Sequence, residues 1–394
     1  MKTLDLLLIS NVFEPEVHGG YELLASDVAK SLVARGHRVT VLTSGEEAPS
    51  DKGRRVRRLL SLSRPFATSA KTDRLRHVAA AAHNAAAMRA VLQRDRRYDG
   101  AMVFSLRRMG LEPLRALARH NVRTCVTVND DWPLAYVRNP PAGLAARVVH
   151  RVFDRGWHAR HTWGDLRCER VLWLSDSLRE RVLSAGAPLA KGLVRAQGVE
   201  RSLFRQRAFR EVNSSNPTLL FVGRLHPEKG PELVLDAVAE LARRGVGARA
   251  RFVGAPVTPR YGESLRARAS QLGIHDRIEW CGPVERGALP ALYADADVHV
   301  FVCRSETEGL GLTWLEAMAV GVPVVAHPSG GARSFFDAHG GVERADHSSI
   351  ADAVLSLAAR PDRQRALVER GFDLVREHAS LDRYVDALVE TLLA

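Results

Sequence analysis

A chain of 394 residues, 46% of them hydrophobic, is long enough for two ordinary domains and apolar enough to give each a core, which excludes intrinsic disorder. The formal net charge is +12, yet no aromatic residues interleave with the arginines, so a base-stacking nucleic-acid surface is excluded. The cysteines Cys125, Cys168, Cys281 and Cys303 have neither metal-ligand nor disulfide spacing and fit a reducing, cytoplasmic setting. The apolar run at residues 6–9 is too short for a signal peptide, and no stretch approaches the roughly 20 apolar residues of a membrane span.

In chain order, the sequence repeats one pattern: an apolar strand, a glycine-bearing loop, then an amphipathic helix. That pattern argues for parallel sheets with crossover helices. Residues 4–10 read as a buried strand. A loop over 11–20, ending in Gly19 and Gly20, leads to a helix over 22–35 with Leu23, Leu24, Val28, Leu32 and Val33 on one face. Gly36 ends it, and 38–43 is the next strand. Residues 51–97 carry much of the positive charge, with Arg54, Arg55, Arg57, Arg58, Arg64, Lys71, Arg74 and Arg76. The arginine-rich composition of the whole chain accounts for this stretch; contact with an anionic membrane or an acidic acceptor is the alternative.

An alanine-rich helix is expected at 78–90 and strands at 100–104, 123–128 and 170–175. A polar linker at 210–217 opens the second half. There 218–222, 250–254, 277–281, 298–302 and 322–326 read as strands, and 231–243 and 289–294 as helices. From 362 onward the chain reads as helical, with a stripe through Leu374, Val375, Tyr384, Leu388 and Leu392. Two doubly wound α/β domains follow, with ligands expected at the carboxyl ends of the strands, in the crevice between domains.

Three loops could carry chemistry. Glu308 and Glu316 are separated by seven residues, with Gly309 and Gly311 between them. The glycines put Glu308 on a loop, while Glu316 falls one turn into a helix. A helix start offers N–H groups to an anion, and the two carboxylates offer acceptors to hydroxyls. A sugar nucleotide presents that set; a solvated surface is the plain alternative for the pair alone. The second loop, Gly223-Arg224-Leu225-His226-Pro227-Glu228-Lys229-Gly230, places a guanidinium fork and a point charge after a strand, where both can meet one diphosphate. It is not a Walker A loop, and alone it could be a basic surface turn. The third is the Gly19-Gly20 loop, where a backbone can approach a phosphate. His158 and His161 read as a solvated helix face, not a metal site. Trp157, Trp163 and Trp173 read as core or interface, with an acceptor platform open to one of them.

The segment 304–326 resembles the E-x7-E segment of retaining glycosyltransferases of the GT-B fold, glycosyltransferase family 4 (group 1). The Arg224–Lys229 loop resembles that family's Gly-Arg-Leu-x3-Lys-Gly loop, and Gly19-Gly20 its Gly-Gly loop. Residues 197–204 are similar to its Asn-Gly-Val-Asp-x3-Phe turn, with Gln197 for Asn. Val253-Gly254 resembles its strand end beside the nucleotide, and Gly282-Pro283-Val284, followed by Leu289-x2-Leu292-Tyr293-x-Asp295-Ala296-Asp297, resembles its segment whose backbone reads the nucleobase edge. Before E-x7-E, Cys303-Arg304-Ser305 departs from the usual Pro-Ser loop. Residues 127–134 resemble a Thr-x-His-Asp-x-Trp-Pro segment, with Asn129 where relatives carry His; Asn cannot act as a general base.

The resemblance implies a GT-B architecture. Its parts would be a Rossmann-like acceptor domain over 1–205 and a donor domain over 206–375, facing across a cleft, and a C-terminal helix over 376–394 returning to the first. It implies a cytoplasmic enzyme, with the inner face of the membrane as a further station, that moves a sugar from a UDP-, GDP- or dTDP-sugar to a hydroxyl. The acceptor would be a glycan, a natural product or a lipid-linked glycan. No metal and no other cofactor is implied. Arg224 and Lys229 would stabilise the leaving diphosphate. Glu308 and the backbone of Gly309, Leu310, Gly311 and Leu312 would hold the donor sugar, and Glu316 the ribose. Gly19, Gly20, Gly223, Gly254 and Val284 would line the donor site. Asn129, Asp130 and Trp132 fall to the acceptor side, Asp130 as an orienting or proton-accepting group or else as a helix cap or turn. The rival readings are a sugar-nucleotide epimerase or hydrolase of the same fold and a non-catalytic basic binding protein.

Overall fold

A computed structural model describes residues 2–17, 19–47, 55–63, 74–94, 98–137, 162–305 and 309–394. The chain divides into two compact units, Met1–Ala196 with Asp382–Ala394, and Gln197–Leu381. The first holds a parallel sheet of β1 (Asp5–Ser10), β2 (Arg38–Thr43), β3 (Arg55–Arg58), β4 (Gly100–Ser105), β5 (Thr124–Val128), β6 (Arg170–Trp173) and β7 (Leu193–Val194), in the order β3-β2-β1-β4-β5-β6-β7. Its central strands, Asp5-Leu-Leu-Leu-Ile-Ser and Gly100-Ala-Met-Val-Phe-Ser, are nearly continuous apolar runs because helices cover both faces. Those helices are α1 (Gly20–Ala34), α2 (Arg74–Arg94), α3 (Glu112–Arg119) and α4 (Asp176–Ser184).

The second unit repeats the plan with β8 (Thr218–Val222), β9 (Arg249–Val253), β10 (Ile278–Gly282), β11 (Val298–Val302), β12 (Val324–His327) and β13 (Glu343–Arg344). The order is β10-β9-β8-β11-β12-β13, all parallel. Its helices are α5 (Pro231–Arg243), α6 (Pro259–Gln271), α7 (Leu289–Asp295), α8 (Thr313–Val320), α9 (Gly330–His339), α10 (Ile350–Ala358) and α11 (Pro361–His378). In each sheet the order reverses beside the first strand, between β1 and β4 and between β8 and β11. In open α/β sheets that switch point is where loops part and ligands bind.

The helical tail is two helices, α11 and α12 (Leu381–Leu393). The break has a local cause: Val199 donates its N–H to the Ala379 carbonyl (2.8 Å), and its carbonyl accepts from Leu381 N–H (3.0 Å). Those main-chain groups are therefore lost to a continuous helix. Helix α12 packs on the first unit. Leu392 lies so close over β4 that a Cβ on Gly100 would sit 2.8 Å from its Cδ2, and Arg35 pairs with Asp382 (2.9 Å) and Asp386 (2.6 Å).

The basic stretch is partly structural. The Arg58 guanidinium donates to the carbonyls of Phe13, Glu14 and Ser44, tying the edge strand to the loop after β1. Arg54, Arg64 and Lys71 lie outside the described residues, as does the side chain of Arg74. Among the described residues no helix is long and apolar enough to cross a membrane.

Candidate active site

At the switch point of the second sheet, three neighbouring strands end in glycines whose loops bond to one another. Gly223 N–H donates to the Val253 carbonyl (2.9 Å), and Gly254 N–H to the Gly282 carbonyl (2.8 Å). Gly254 adopts φ +138°, and a Cβ there would lie 2.0 Å from the Gly223 carbonyl oxygen, so no L side chain fits. Beyond Gly223, Arg224 is exposed and has no hydrogen bond or ion pair among the described residues. Leu225 N–H reaches the Ala255 carbonyl (2.9 Å) and fixes the loop. A short turn at Pro227–Lys229, opened by His226 Nδ1 accepting from Glu228 N–H (3.2 Å), sets half-buried Lys229 just before α5.

Arg304 follows β11. Its N–H donates to the Glu228 carbonyl (2.7 Å), and its guanidinium pairs with Glu232 in the first turn of α5, which also accepts from the Tyr261 hydroxyl (3.0 Å). This arginine, where the family pattern has proline, thus braces the cationic loop. Glu308 lies outside the described residues. Residues 309–312 lead into α8, held by Trp314 Nε1 donating to the Leu310 carbonyl (2.8 Å). Among the described residues no side chain caps the start of α8, so its first N–H groups suit an anion. Glu316, in the first turn, is only 4% exposed and accepts from the Tyr293 hydroxyl of α7 (3.0 Å). Burial, then Glu316, pushes the Tyr293 hydroxyl far above its ordinary pKa, so it stays a donor. Strand order therefore lines up half-buried Val284, Gly254, the Arg224–Lys229 loop and the 309–316 segment along one edge of this sheet.

In the first unit, Gly19 is extended (φ −176°) and precedes α1, whose start also lacks a side-chain cap among the described residues. Tyr21 joins this loop to the end of β5: its hydroxyl donates to the Thr127 carbonyl (2.7 Å) and accepts from Asn129 N–H (2.8 Å). Asn129 is 7% exposed, and neither amide atom completes a hydrogen bond of good geometry among the described residues; the Tyr384 hydroxyl of α12 lies beside it. Asp130 Oδ1 accepts from Trp132 N–H (2.8 Å), a local turn, and pairs with Arg107 Nη2 (3.3 Å). Desolvation raises its pKa above the ordinary carboxylate value despite Arg107. Trp132 is fully buried against Tyr136 and Trp163. Its ring belongs to the core of the first unit. Trp163 and Trp173 are buried as well, while Trp157, His158 and His161 lie outside the described residues.

Residues 204–373 match the family model for glycosyl transferases group 1, and residues 18–202 that for Glycosyltransferase Family 4. The chain belongs to glycosyltransferase family 4. This family 4 glycosyltransferase is 29% identical to the GDP-mannose-dependent alpha-(1-6)-phosphatidylinositol monomannoside mannosyltransferase of Mycobacterium tuberculosis, over 98% of this chain and 97% of that one. It is 36% identical to a D-inositol 3-phosphate glycosyltransferase of Geodermatophilus obscurus over 56% of this chain and 51% of that one. Among solved structures, Anabaena HepE in complex with UDP and glucose matches with TM-score 0.70 at 17% identity, over 99% of this chain and 100% of that one. Sucrose-phosphate synthase from Thermosynechococcus elongatus matches with TM-score 0.70 at 21% identity, over 98% of both chains. These likenesses identify the fold of the two parallel sheets as GT-B.

Several groups that shape the site escape a sequence reading. Arg107 and Arg304 each stand just past a strand end, but so do many arginines in this chain. Tyr21 directly follows the glycine pair, which is the one signal that could have singled it out. Tyr293 sits in the Leu-Tyr-x-Asp-Ala-Asp run that resembles the family, without a hint that its hydroxyl meets Glu316.

Proposed function

We propose that this glycosyltransferase moves a hexose, mannose first among the candidates, from a GDP-sugar to a hydroxyl of an inositol-based or mannosylated glycan, with retention and without a metal ion. The carrying observation is the exposed Arg224 and half-buried Lys229 on one glycine-tied loop at the switch point of the second sheet. Two cations there neutralise a departing diphosphate, the electrostatic task that dominates such chemistry. The relative that spans nearly the whole chain is named for GDP-mannose, and both relatives are named for inositol-containing acceptors.

In this reading the 309–312 backbone and Glu308 hold the donor sugar hydroxyls, Glu316 holds the ribose, and Gly254 and Val284 line the nucleotide. The bond from the anomeric carbon to the phosphate oxygen breaks as the acceptor oxygen bonds on the same face. The acceptor proton passes to the leaving phosphate oxygen, while Asp130 orients the hydroxyl. A lipid-linked acceptor would put the reaction at the inner face of the membrane. A thermal-shift series with GDP-, UDP- and dTDP-sugars, with Mg²⁺ and with chelator, tests the donor side. Stabilisation by the GDP series, unchanged by chelator, is expected. A shift that needs Mg²⁺ removes the metal-free step, and no shift from any nucleotide removes the reading.

A further inference from the structure

The loop after β4 is fixed more tightly than a connector between a strand and a helix requires. Arg107 N–H donates to Ser105 Oγ (3.3 Å), and Arg108 holds φ +65°, a left-handed conformation unfavourable for a side chain of its size. The Tyr136 hydroxyl accepts from Gly110 N–H (3.0 Å) and donates to the Leu106 carbonyl (2.5 Å). Asn84 Nδ2 donates to the Met109 carbonyl (2.8 Å), and Ser63 N–H to the Arg108 carbonyl (2.8 Å). Strain over-determined in this way usually holds a group in place for function. The group presented is Arg107, whose Nη2 spans Asp131 Oδ1 (2.5 Å) and Asp130 Oδ1 (3.3 Å), on the loop after the neighbouring strand β5.

We propose that Arg107 is a positioning residue of the transfer reaction: it holds the Asp130 carboxylate by Oδ1 and leaves Oδ2 for the acceptor hydroxyl. The proposal rests on the reading of Asp130 as the acceptor-orienting group. Oδ1 is engaged twice, by Arg107 and by Trp132 N–H, and among the described residues Oδ2 has no hydrogen bond. Asp130 lies beside Asp131 on its own loop, and the Tyr21 hydroxyl of α1 feels its charge. Beyond Tyr21, the Tyr384 hydroxyl of α12 meets Asn129 and Thr127. Of these groups only Arg107 is cationic. Desolvation opposes ionisation of Asp130, while the charge of Arg107 favours it.

The experiment compares wild type, Arg107→Gln and Arg107→Lys with GDP-mannose as donor. Phosphatidylinositol monomannoside in micelles and D-inositol 3-phosphate serve as acceptor probes. Arg107→Gln is expected to lower kcat/KM for the acceptor about tenfold or more, with stabilisation by GDP unchanged. Without the cation the Asp130 carboxyl titrates higher, so the acid limb of the rate profile moves to higher pH, and Arg107→Lys restores much of that limb. An acid limb unmoved in Arg107→Gln, with equal losses in both variants, means a structural tie only and overturns the proposal. Should wild type bind GDP yet transfer to neither probe, that acceptor reading fails. A carbon-13 titration of Asp130, assigned with Asp130→Asn, then decides the clamp. A midpoint raised in Arg107→Gln supports it, and an unchanged midpoint overturns it. No response of wild type to any nucleotide sinks the transferase donor reading instead, and the same titration still decides the clamp.

Discussion

Arg224 and Lys229 share one loop but differ in what their loss should do. Arg224 is exposed and unpaired among the described residues, so Arg224→Ala removes almost nothing from the folded state. In the proposed reading its contribution belongs to the transition state, where charge on the leaving diphosphate grows. Loss of one such donor costs about 10²–10³ in kcat. Arg224→Ala and Lys229→Ala should each lower kcat on that scale, and Arg224→Ala should leave the thermal midpoint near wild type. Arg224→Lys should recover only part of the rate, because an ammonium cannot replace two parallel N–H donors. Steady-state kinetics with GDP-mannose, alongside melting curves, check this; near-normal turnover in both alanine variants would remove the site assignment. Glu316 differs again: its carboxylate is buried and bonded to Tyr293, so Glu316→Ala would loosen α7 from α8 as well as remove the proposed ribose contact.

At the scale of elements, central strands were legible, as was the edge strand β10, while the edges β3, β7 and β13 were not. Residues 218–222, 231–243 and 298–302 emerge in the structure with the boundaries expected of them, because a run of buried apolar residues between turn formers has few alternatives. Strand β3, Arg-Val-Arg-Arg, carries no such signal; it is a strand because β2 offers it a register and Arg58 finds carbonyls at its end. Strand β11 hides another exception. His299 stands in its middle at 0% exposure, edge-on to Tyr293 (5.5 Å), and its ring nitrogens complete no hydrogen bond of good geometry among the described residues. Burial lowers its pKa from 6.5 to about 3. Between those values the unfolded chain binds a proton that the folded sheet refuses, so stability falls as pH drops below 6.5 and stops falling near 3. Above 6.5 the ring is neutral in both states and the effect vanishes. His299→Leu should therefore lose less stability than wild type between neutral pH and about pH 5 in urea unfolding. Equal losses would show that the ring is not what makes the sheet acid-sensitive.

For the whole molecule, the two-sheet plan was readable because the strand–loop–helix pattern occurs twice. The glycine-bearing loops proposed to hold the donor were readable as loops because glycine and charge fall where strands end. The Arg107–Asp130 pair was not, since Arg107 reaches Asp130 only through the neighbouring strand, a contact that spacing along the chain does not encode. Nor does spacing reveal that the last helix packs on the sheet that begins at Asp5. Helix α12 gives the first unit Tyr384, Val385, Leu388 and Leu392, each at most 1% exposed, together with the partners of Arg35. Burying such a side chain is worth about 1.5–3 kcal/mol, so four of them rival the ~5–15 kcal/mol by which a domain is stable at all. A chain ending at residue 380 should therefore lose the first unit and keep the second. Limited proteolysis should cut within residues 1–196 of the truncated protein and spare 197–380, and Leu388→Ala in the full chain should show a milder form of the same pattern. Equal resistance of both units after truncation would mean that the first sheet closes its core without α12, and the close approach of Leu392 to Gly100 would then be packing without consequence for stability.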